Sequence, residues 1–203
     1  VGINSCVAVG YEAGARFAGG YNVAIGHQSG LWVTGSNNTI IGAWAENESF
    51  SDTILLAAGK TERMRITNNA GFLLSNGILV EHCKIVSTAW STTNDISLDD
   101  GNVFLNTANL AGTTNTIDIT SSNGLNVDLA DGDMTSVTLI TAVNSASSYI
   151  NSITIAAATP TINWVGGSAP TDGGSSGYDV YTFNIIKTGA NAYVVIGNQV
   201  KGS

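Results

Sequence analysis

The chain has 203 residues and a formal net charge of −8, with 43% hydrophobic residues and only 11% charged ones. The apolar share is too high for a disordered chain, and no apolar run approaches the ~20 residues of a membrane-spanning helix. Nine acidic residues and no lysine or arginine lie between Ile85 and Ile186. We therefore expect neither nucleic-acid binding, which needs basic side chains, nor membrane insertion.

Residues 1–58 contain a sixteen-residue repeat marked by Gly10, Gly26 and Gly42. A unit this short cannot bury its own apolar face, so the period predicts stacked coils of a β-solenoid. We expect Val23 and Ile25 to point inward and Ala24 outward, because side chains alternate along a strand. A run of ordinary hairpins is the alternative. In the third repeat, Glu46 stands where the others have a second glycine.

Residues 59–94 are predicted to form a neck. Residues 59–67 form a charged stretch typical of a short exposed strand, and Asn68-Asn69-Ala70-Gly71 follows as a turn. Residues 71–77 are predicted to form a further strand, closed by a second turn at Asn76-Gly77.

Residues 95–203 show alternating apolar and polar residues between Asn-Gly and Asp-Gly turns. This pattern predicts an antiparallel β-sandwich of jelly-roll type, with residues 125–129 as one of its strands. The clearest hairpin joins residues 178–186 to residues 192–196. Its aromatic row, Tyr181 and Phe183 with Ile185, is expected to face the core.

Residues 21–30 and 34–42, each with the form Asn-x-x-Ile-Gly, resemble the Asn-x-Ala-Ile-Gly repeats of bacteriophage tail fibres. They are also similar to the head repeats of trimeric autotransporter adhesins. Residues 61–67, Thr-Glu-Arg-Met-Arg-Ile-Thr, resemble a strand that often follows such repeats in phage fibres. The resemblance covers about residues 1–75. It implies a homotrimer on the virion, outside the cell, with neighbouring tail proteins and a distal end that contacts a bacterial surface.

Two aromatic residues are the candidate receptor-binding residues. Trp164 comes just before Gly166-Gly167, and Tyr178 just after the Gly/Ser-rich loop of residues 166–177, which we expect to be mobile. Aromatic faces stack on sugars, and loops on a rigid scaffold often carry recognition. The alternative for Trp164 is a place in the core.

Asp128, Asp131 and Asp133 are candidate calcium ligands, since calcium prefers carboxylate and carbonyl oxygens. Their spacing lacks the further ligands of an EF-hand, and a solvated Asp-Gly turn explains them better. No other cofactor is expected.

Catalysis is not expected. A glycan-cleaving site needs two carboxylates across the sugar bond, and turn chemistry accounts for the clustered Asp95, Asp99 and Asp100. His27 lies at a variable repeat position, which favours an exposed side chain.

These observations predict an all-β, homotrimeric tail fibre or spike protein. Residues 1–58 would form the repeat segment, 59–94 the neck and 95–203 a β-sandwich tip that binds a bacterial surface glycan or protein. The alternatives are a virion structural or decoration protein that binds another virion protein, a glycan-degrading spike, and a bacterial adhesin.

Overall fold

The computed structural model describes residues 5–44, 48–75, 78–91 and 93–203, and it is all-β as predicted. The chain divides into two compact units, Val1–Val80 and Glu81–Ser203. Residues of the predicted neck are shared between them, because two of its strands extend the sheet of the repeats and a third joins a sheet of the second unit. Glu46 and the predicted turn at Asn76-Gly77 lie outside the described residues.

The first unit is built on one six-stranded sheet in chain order. Its strands are β1 (Val7–Val9), β2 (Val23–Ile25), β3 (Thr39–Ile41), β4 (Ile54–Ala58), β5 (Thr61–Ile66) and β6 (Phe72–Leu74). The first four are parallel, and equivalent repeat positions pair, for example Ala24 with Ala8 and with Ile40. β5 and β6 continue the sheet in antiparallel fashion. The sixteen-residue period therefore sets the register of β1 to β3.

A ladder of buried polar side chains runs along the inside of the repeats. Asn22 donates from Nδ2 to the carbonyl of Gly35 (2.8 Å), and its Oδ1 accepts from the backbone N–H of Asn38 (3.0 Å). Asn38 then repeats the pattern with Phe50 O (2.9 Å) and Thr53 N (3.1 Å). Because buried backbone groups must be paired, these amides satisfy the corners that strand pairing leaves open.

Glycine at the repeat marker position allows the rungs to approach closely. Gly26 has φ +129°, and a Cβ there would lie 2.8 Å from the carbonyl oxygen of Gly42 in the next rung. Any other residue would be strained in this backbone conformation and would push the rungs apart.

The prediction that Val23 and Ile25 point inward was wrong. Ala24 is fully buried, as are its partner Ile40 and the next residue along the ladder, Leu55, whereas Ile25 is 41% exposed and Val23 is half-buried. The ladder is the physical reason, since Asn22 must face inward and Ala24, two residues later, shares its face. Phe17, Val33 and Trp44 complete this core.

The second unit contains two sheets that share one hydrophobic core. The three-stranded sheet has the order β12-β10-β8, and the six-stranded sheet has the order β13-β15-β14-β11-β9-β7. The strands are β7 (Cys83–Val86), β8 (Thr93–Ser97), β9 (Val103–Asn109), β10 (Thr114–Thr120), β11 (Met134–Ala142), β12 (Tyr149–Ile155), β13 (Ile162–Trp164), β14 (Tyr178–Gly189) and β15 (Ala192–Val200). A 3-10 turn covers Leu98–Asp100, and a single helical turn, α1, covers Leu125–Asp128. That helical turn replaces the strand predicted at residues 125–129.

Strand direction in this unit differs from the antiparallel prediction. From β7 to β12 the chain alternates between the two sheets, so β7, β9 and β11 are parallel in one and β8, β10 and β12 are parallel in the other. Among the strand pairs of the second unit that the structure describes, only β11–β14 and β14–β15 are antiparallel. A chain that crosses to the opposite sheet and back returns in its original direction. Local alternation and turn residues do not reveal such a crossover.

The C-terminal hairpin and its core face are confirmed. β14 and β15 pair around the turn that follows Gly189, and Tyr181, Phe183 and Ile185 are fully buried. Facing them from the three-stranded sheet are Ile117, Ile119, Ile150 and Ile153, also fully buried.

Candidate functional site

Trp164 lies on β13, at the outer edge of the six-stranded sheet, and packs partly against the core. Its neighbour across the ladder is Gly197 on β15, which pairs in turn with Phe183 on β14. Because Gly197 has no side chain, the indole crosses β15 and meets the Phe183 ring edge-on, at 5.7 Å between centroids and 72° between planes. A Cβ on Gly197 would lie 2.9 Å from the indole. The ring is thus held in one orientation.

Beside the indole is an open cleft of about 540 Å³. Asn151 on β12 and Asn163 on β13 line it together with Ile162, Trp164 and Ser168. Every lining side chain is uncharged. The cleft therefore combines an aromatic ring with amide and hydroxyl groups, which donate and accept hydrogen bonds without carrying charge.

A second, smaller depression of about 210 Å³ also borders Trp164. Gln199 lines it, as do Asp172 and Lys201, whose carboxylate and ammonium groups form an ion pair. Trp164 thus separates a neutral cleft from a charged one.

The Gly/Ser-rich loop of residues 166–177 is fixed at its middle, contrary to the expectation that it is mobile throughout. Gly173 and Gly174 are buried. The backbone N–H of Gly173 donates to Ala146 O at 2.7 Å, and that of Gly174 donates to the Asp179 carboxylate at 3.0 Å. The fixed middle of the loop anchors the segment that borders the Trp164 clefts.

Sequence reasoning did not single out Asp179, a fully buried carboxylate at the start of β14. It accepts hydrogen bonds from Gly174 N, from Gly202 N at 2.8 Å and from the Tyr181 hydroxyl at 3.2 Å. The Tyr181 oxygen itself accepts from Ile150 N at 3.1 Å and from Gln199 at 2.9 Å. Burial raises the pKa of Tyr181 far above its ordinary value of 10.0, so the phenol stays neutral and donates to Asp179. This network ties the loop, β12 and the C-terminal residues together.

Tyr178 is 47% exposed and is not brought together with Trp164. It lies five residues before Phe183 on β14, a separation of about 17 Å at ~3.4 Å per residue, whereas the Trp164 ring contacts Phe183. The two candidate receptor-binding residues therefore belong to different patches of the second unit.

The three candidate calcium ligands each have a different partner. Asp128 Oδ1 accepts from Asn123 at 3.0 Å, and Asp133 Oδ2 accepts from Ala130 N at 2.8 Å. Asp131 lies 3.4 Å from the ammonium group of Lys187. In the part of the chain that the structure describes, no group of three or more acidic, histidine or cysteine side chains is arranged to hold a metal ion. Calcium binding stays a prediction.

The Lys187 ammonium group occupies the centre of that region. It donates to the carbonyls of Asn126 at 2.8 Å and Leu129 at 2.9 Å in addition to its ion pair. Carbonyl and carboxylate oxygens of this kind are the ligands that calcium prefers. In this structure these oxygens already contact the positively charged Lys187 ammonium group.

Asp99, one of the clustered acids, has the hydrogen bonds of a turn. It accepts from the hydroxyl and the backbone N–H of Ser122, and from Ser97. The Ser122 hydroxyl, more than any other group, lowers the pKa of Asp99. A general acid in glycan cleavage requires the opposite shift. His27 is exposed as expected and stacks on Tyr11, with 5.4 Å between centroids.

Within residues 5–44, 48–75, 78–91 and 93–203, no helix has the length and apolar character needed to cross a membrane. No protein-family model, no curated protein and no solved structure matches the chain.

Proposed function

We propose that the chain forms a homotrimeric bacteriophage tail fibre or spike that supports, and attaches, the virion at a bacterial surface. In this proposal the repeats of the first unit are β-solenoid coils that assemble with identical copies. The second unit, a sandwich of two sheets, is the tip. The observation that carries the proposal is an apolar outer face on the six-stranded sheet of the first unit.

Two rows of side chains form this outer face, because residues paired across neighbouring strands point to the same side. The first row is Val7, Val23, Thr39, Ile54, Ile66 and Phe72, and the second is Val9, Ile25, Ile41, Leu56, Met64 and Leu74. All but Thr39 are apolar. Several are about half exposed, including Val9 at 56% and Phe72 at 60%. Contiguous apolar surface of this kind marks an interaction site.

Copies of the same chain are the best occupants of the outer face. The chain carries a net charge of −8, so its copies repel one another wherever charged surface meets. The two rows contain no charged residue, and they repeat at the strand spacing of about 4.8 Å. An identical chain presents the same rows at the same spacing, so its side chains interdigitate along the whole stack. The number three comes from the resemblance to trimeric fibres.

The assembly is tested by mass in solution. We expect light scattering to give three times the 20.8 kDa chain mass. Ile25→Lys on the outer face should reduce the mass to that of one chain. Thr34→Lys, an exposed residue outside the two rows, adds the same charge and should leave the trimer intact. A wild-type mass of one chain with full β-structure at micromolar concentration would refute the assembly.

Attachment is tested separately by incubating the labelled protein with a panel of bacterial cells and with their purified surface polysaccharides. We expect saturable binding to a subset of the panel, without release of reducing ends. Released reducing ends would favour a glycan-degrading spike. Binding to purified tail or capsid proteins, and to no cell or polysaccharide, would favour a virion decoration protein.

A further inference from the structure

We propose that the cleft between β12 and β13, beside Trp164, binds an uncharged oligosaccharide. This inference rests on the proposed attachment function and specifies its ligand: a chain of neutral hexoses whose ring face stacks on the indole.

The first support is that the Trp164 ring is held in place before a ligand binds. Sugar rings bind to an aromatic face that is already in place, because each mobile side chain that must be ordered lowers the affinity. The Trp164 ring lies over Gly197 and against the edge of Phe183, which is fully buried. The indole therefore has a fixed orientation before any ligand arrives.

The second support is the polar lining. Asn151 and Asn163 reach the cleft from two different strands, and Ser168 borders it from the loop. Carboxamide and hydroxyl groups both donate and accept hydrogen bonds, which matches the paired donor and acceptor character of sugar hydroxyls. Asn163 Nδ2 donates to Val195 O at 3.3 Å, so its orientation is fixed and its oxygen is left to accept from a ligand.

The third support is the charge. No side chain that lines the cleft is ionisable, and no lysine or arginine occurs between Ile85 and Ile186. A sulfated, phosphorylated or uronic-acid saccharide would lose its hydration without gaining a cationic partner. Lys201 and Asp172 line the smaller depression on the other side of Trp164, and their charges are paired with each other. The cleft therefore selects neutral sugars over anionic ones.

The test is titration of the full chain with neutral hexose oligosaccharides of two to five units, alongside uronic-acid oligosaccharides of equal length. We expect at least one neutral oligosaccharide to bind, and to bind at least tenfold more tightly than any anionic one. Trp164→Leu should weaken that binding at least tenfold, because leucine keeps an apolar contact with Phe183 but removes the ring face. Asn151→Leu should weaken it severalfold.

Val165→Ala serves as the matched control. Val165 is the next residue, is 63% exposed and does not line the neutral cleft, so this variant should bind like the wild type. Circular dichroism of each variant shows whether the fold persists. If Trp164→Leu disturbs the fold, Asn151→Leu together with competition between neutral and anionic ligands decides the question.

The inference is overturned if no neutral oligosaccharide binds, if an anionic one binds more tightly, or if folded Trp164→Leu binds like the wild type. Such a result with cell binding intact would place attachment elsewhere, for example at Tyr178, and leave the proposed function standing. A monomeric mass with saccharide binding intact would instead refute the fibre and leave the cleft in place.

Discussion

Replacing the buried Asn38 by alanine should destabilise the repeats of the first unit far more than replacing an exposed asparagine. Asn38 is 1% exposed. Its side chain supplies the hydrogen bonds for Phe50 O and Thr53 N, and it also donates to Asn22 Oδ1 at 3.0 Å. Alanine would leave the Thr53 N–H unpaired in the interior and the Phe50 carbonyl unpaired at a partly buried position.

The magnitude follows from those two orphaned groups. Each buried, unpaired polar group costs about 1–3 kcal/mol, and Asn22 Oδ1 keeps its bond from Asn38 N. We therefore expect a loss of about 3 kcal/mol from the free energy of opening this region. Since 1.4 kcal/mol is a factor of ten, hydrogen exchange should accelerate by roughly a hundredfold in peptides that contain Thr53.

The assay is hydrogen exchange followed by mass spectrometry, because it separates the two units. Peptides from β14 and β15 in the second unit should exchange as in the wild type. The control is Asn37→Gly. Asn37 is exposed with φ +62°, and its side chain donates to the Asp52 carboxylate at 2.9 Å. Glycine keeps the backbone hydrogen bond from residue 37 to Gly20 O, so the replacement should cost less than about 1 kcal/mol. An acceleration below about threefold for Asn38→Ala would refute the view that the amide ladder holds the rungs together.

Three further outcomes follow from the structure. Gly197→Ala should cost about 1–3 kcal/mol of unfolding free energy and shift the Trp164 ring, visible as a change in near-ultraviolet circular dichroism; an unchanged spectrum would contradict the packing. Burial raises the pKa of Tyr181 above that of tyrosine in the unfolded chain. The contribution of Tyr181 to stability is therefore complete below pH ~10, where both states keep the phenolic proton, and is lost as the pH rises further. Tyr181→Phe should remove this loss of stability, as measured by urea unfolding at alkaline pH. Burial is the largest single influence on Glu62 and opposes its ionisation, but the hydrogen bonds from Arg65 and Ser75 and the positive charge of Arg65 together outweigh it and lower the pKa of Glu62. The contribution of Glu62 to the free energy of unfolding is therefore present above pH ~4.5 and is lost as the pH falls below that. Glu62→Gln should make the free energy of unfolding of the first unit less dependent on pH in this acidic range.

The register of β1 to β3 was accessible from the sequence because the repeat is exact in length. Gly10, Gly26 and Gly42 define equivalent positions, and equivalent positions pair. The crossovers of the second unit were not accessible. Alternation in residues 116–120 and 137–140 shows that each strand has a buried face, but it contains no information about which strand is the neighbour.

The candidate site was accessible in part. The position of Trp164 before a glycine pair drew attention to it, but its fixation by Gly197 depends on pairing between β13 and β15, which are far apart in the chain. Asp179 could have been found. It shares the odd-numbered face of β14 with Tyr181 and Phe183, so the predicted inward row already placed a carboxylate in the core.

The amide ladder also explains why apolar side chains of β2 lie on the outer face. It is the reason that the prediction of inward-facing Val23 and Ile25 was wrong. Amides such as Asn22 must face inward to pair the corner carbonyls, and strand alternation then places the small Ala24 inside and the β-branched residues outside. Larger side chains inside and polar ones outside would make a self-sufficient stack, yet the chain has the reverse arrangement on β2. The apolar side chains Val23 and Ile25 therefore lie on the outer face of the sheet, the face that we propose an identical chain covers.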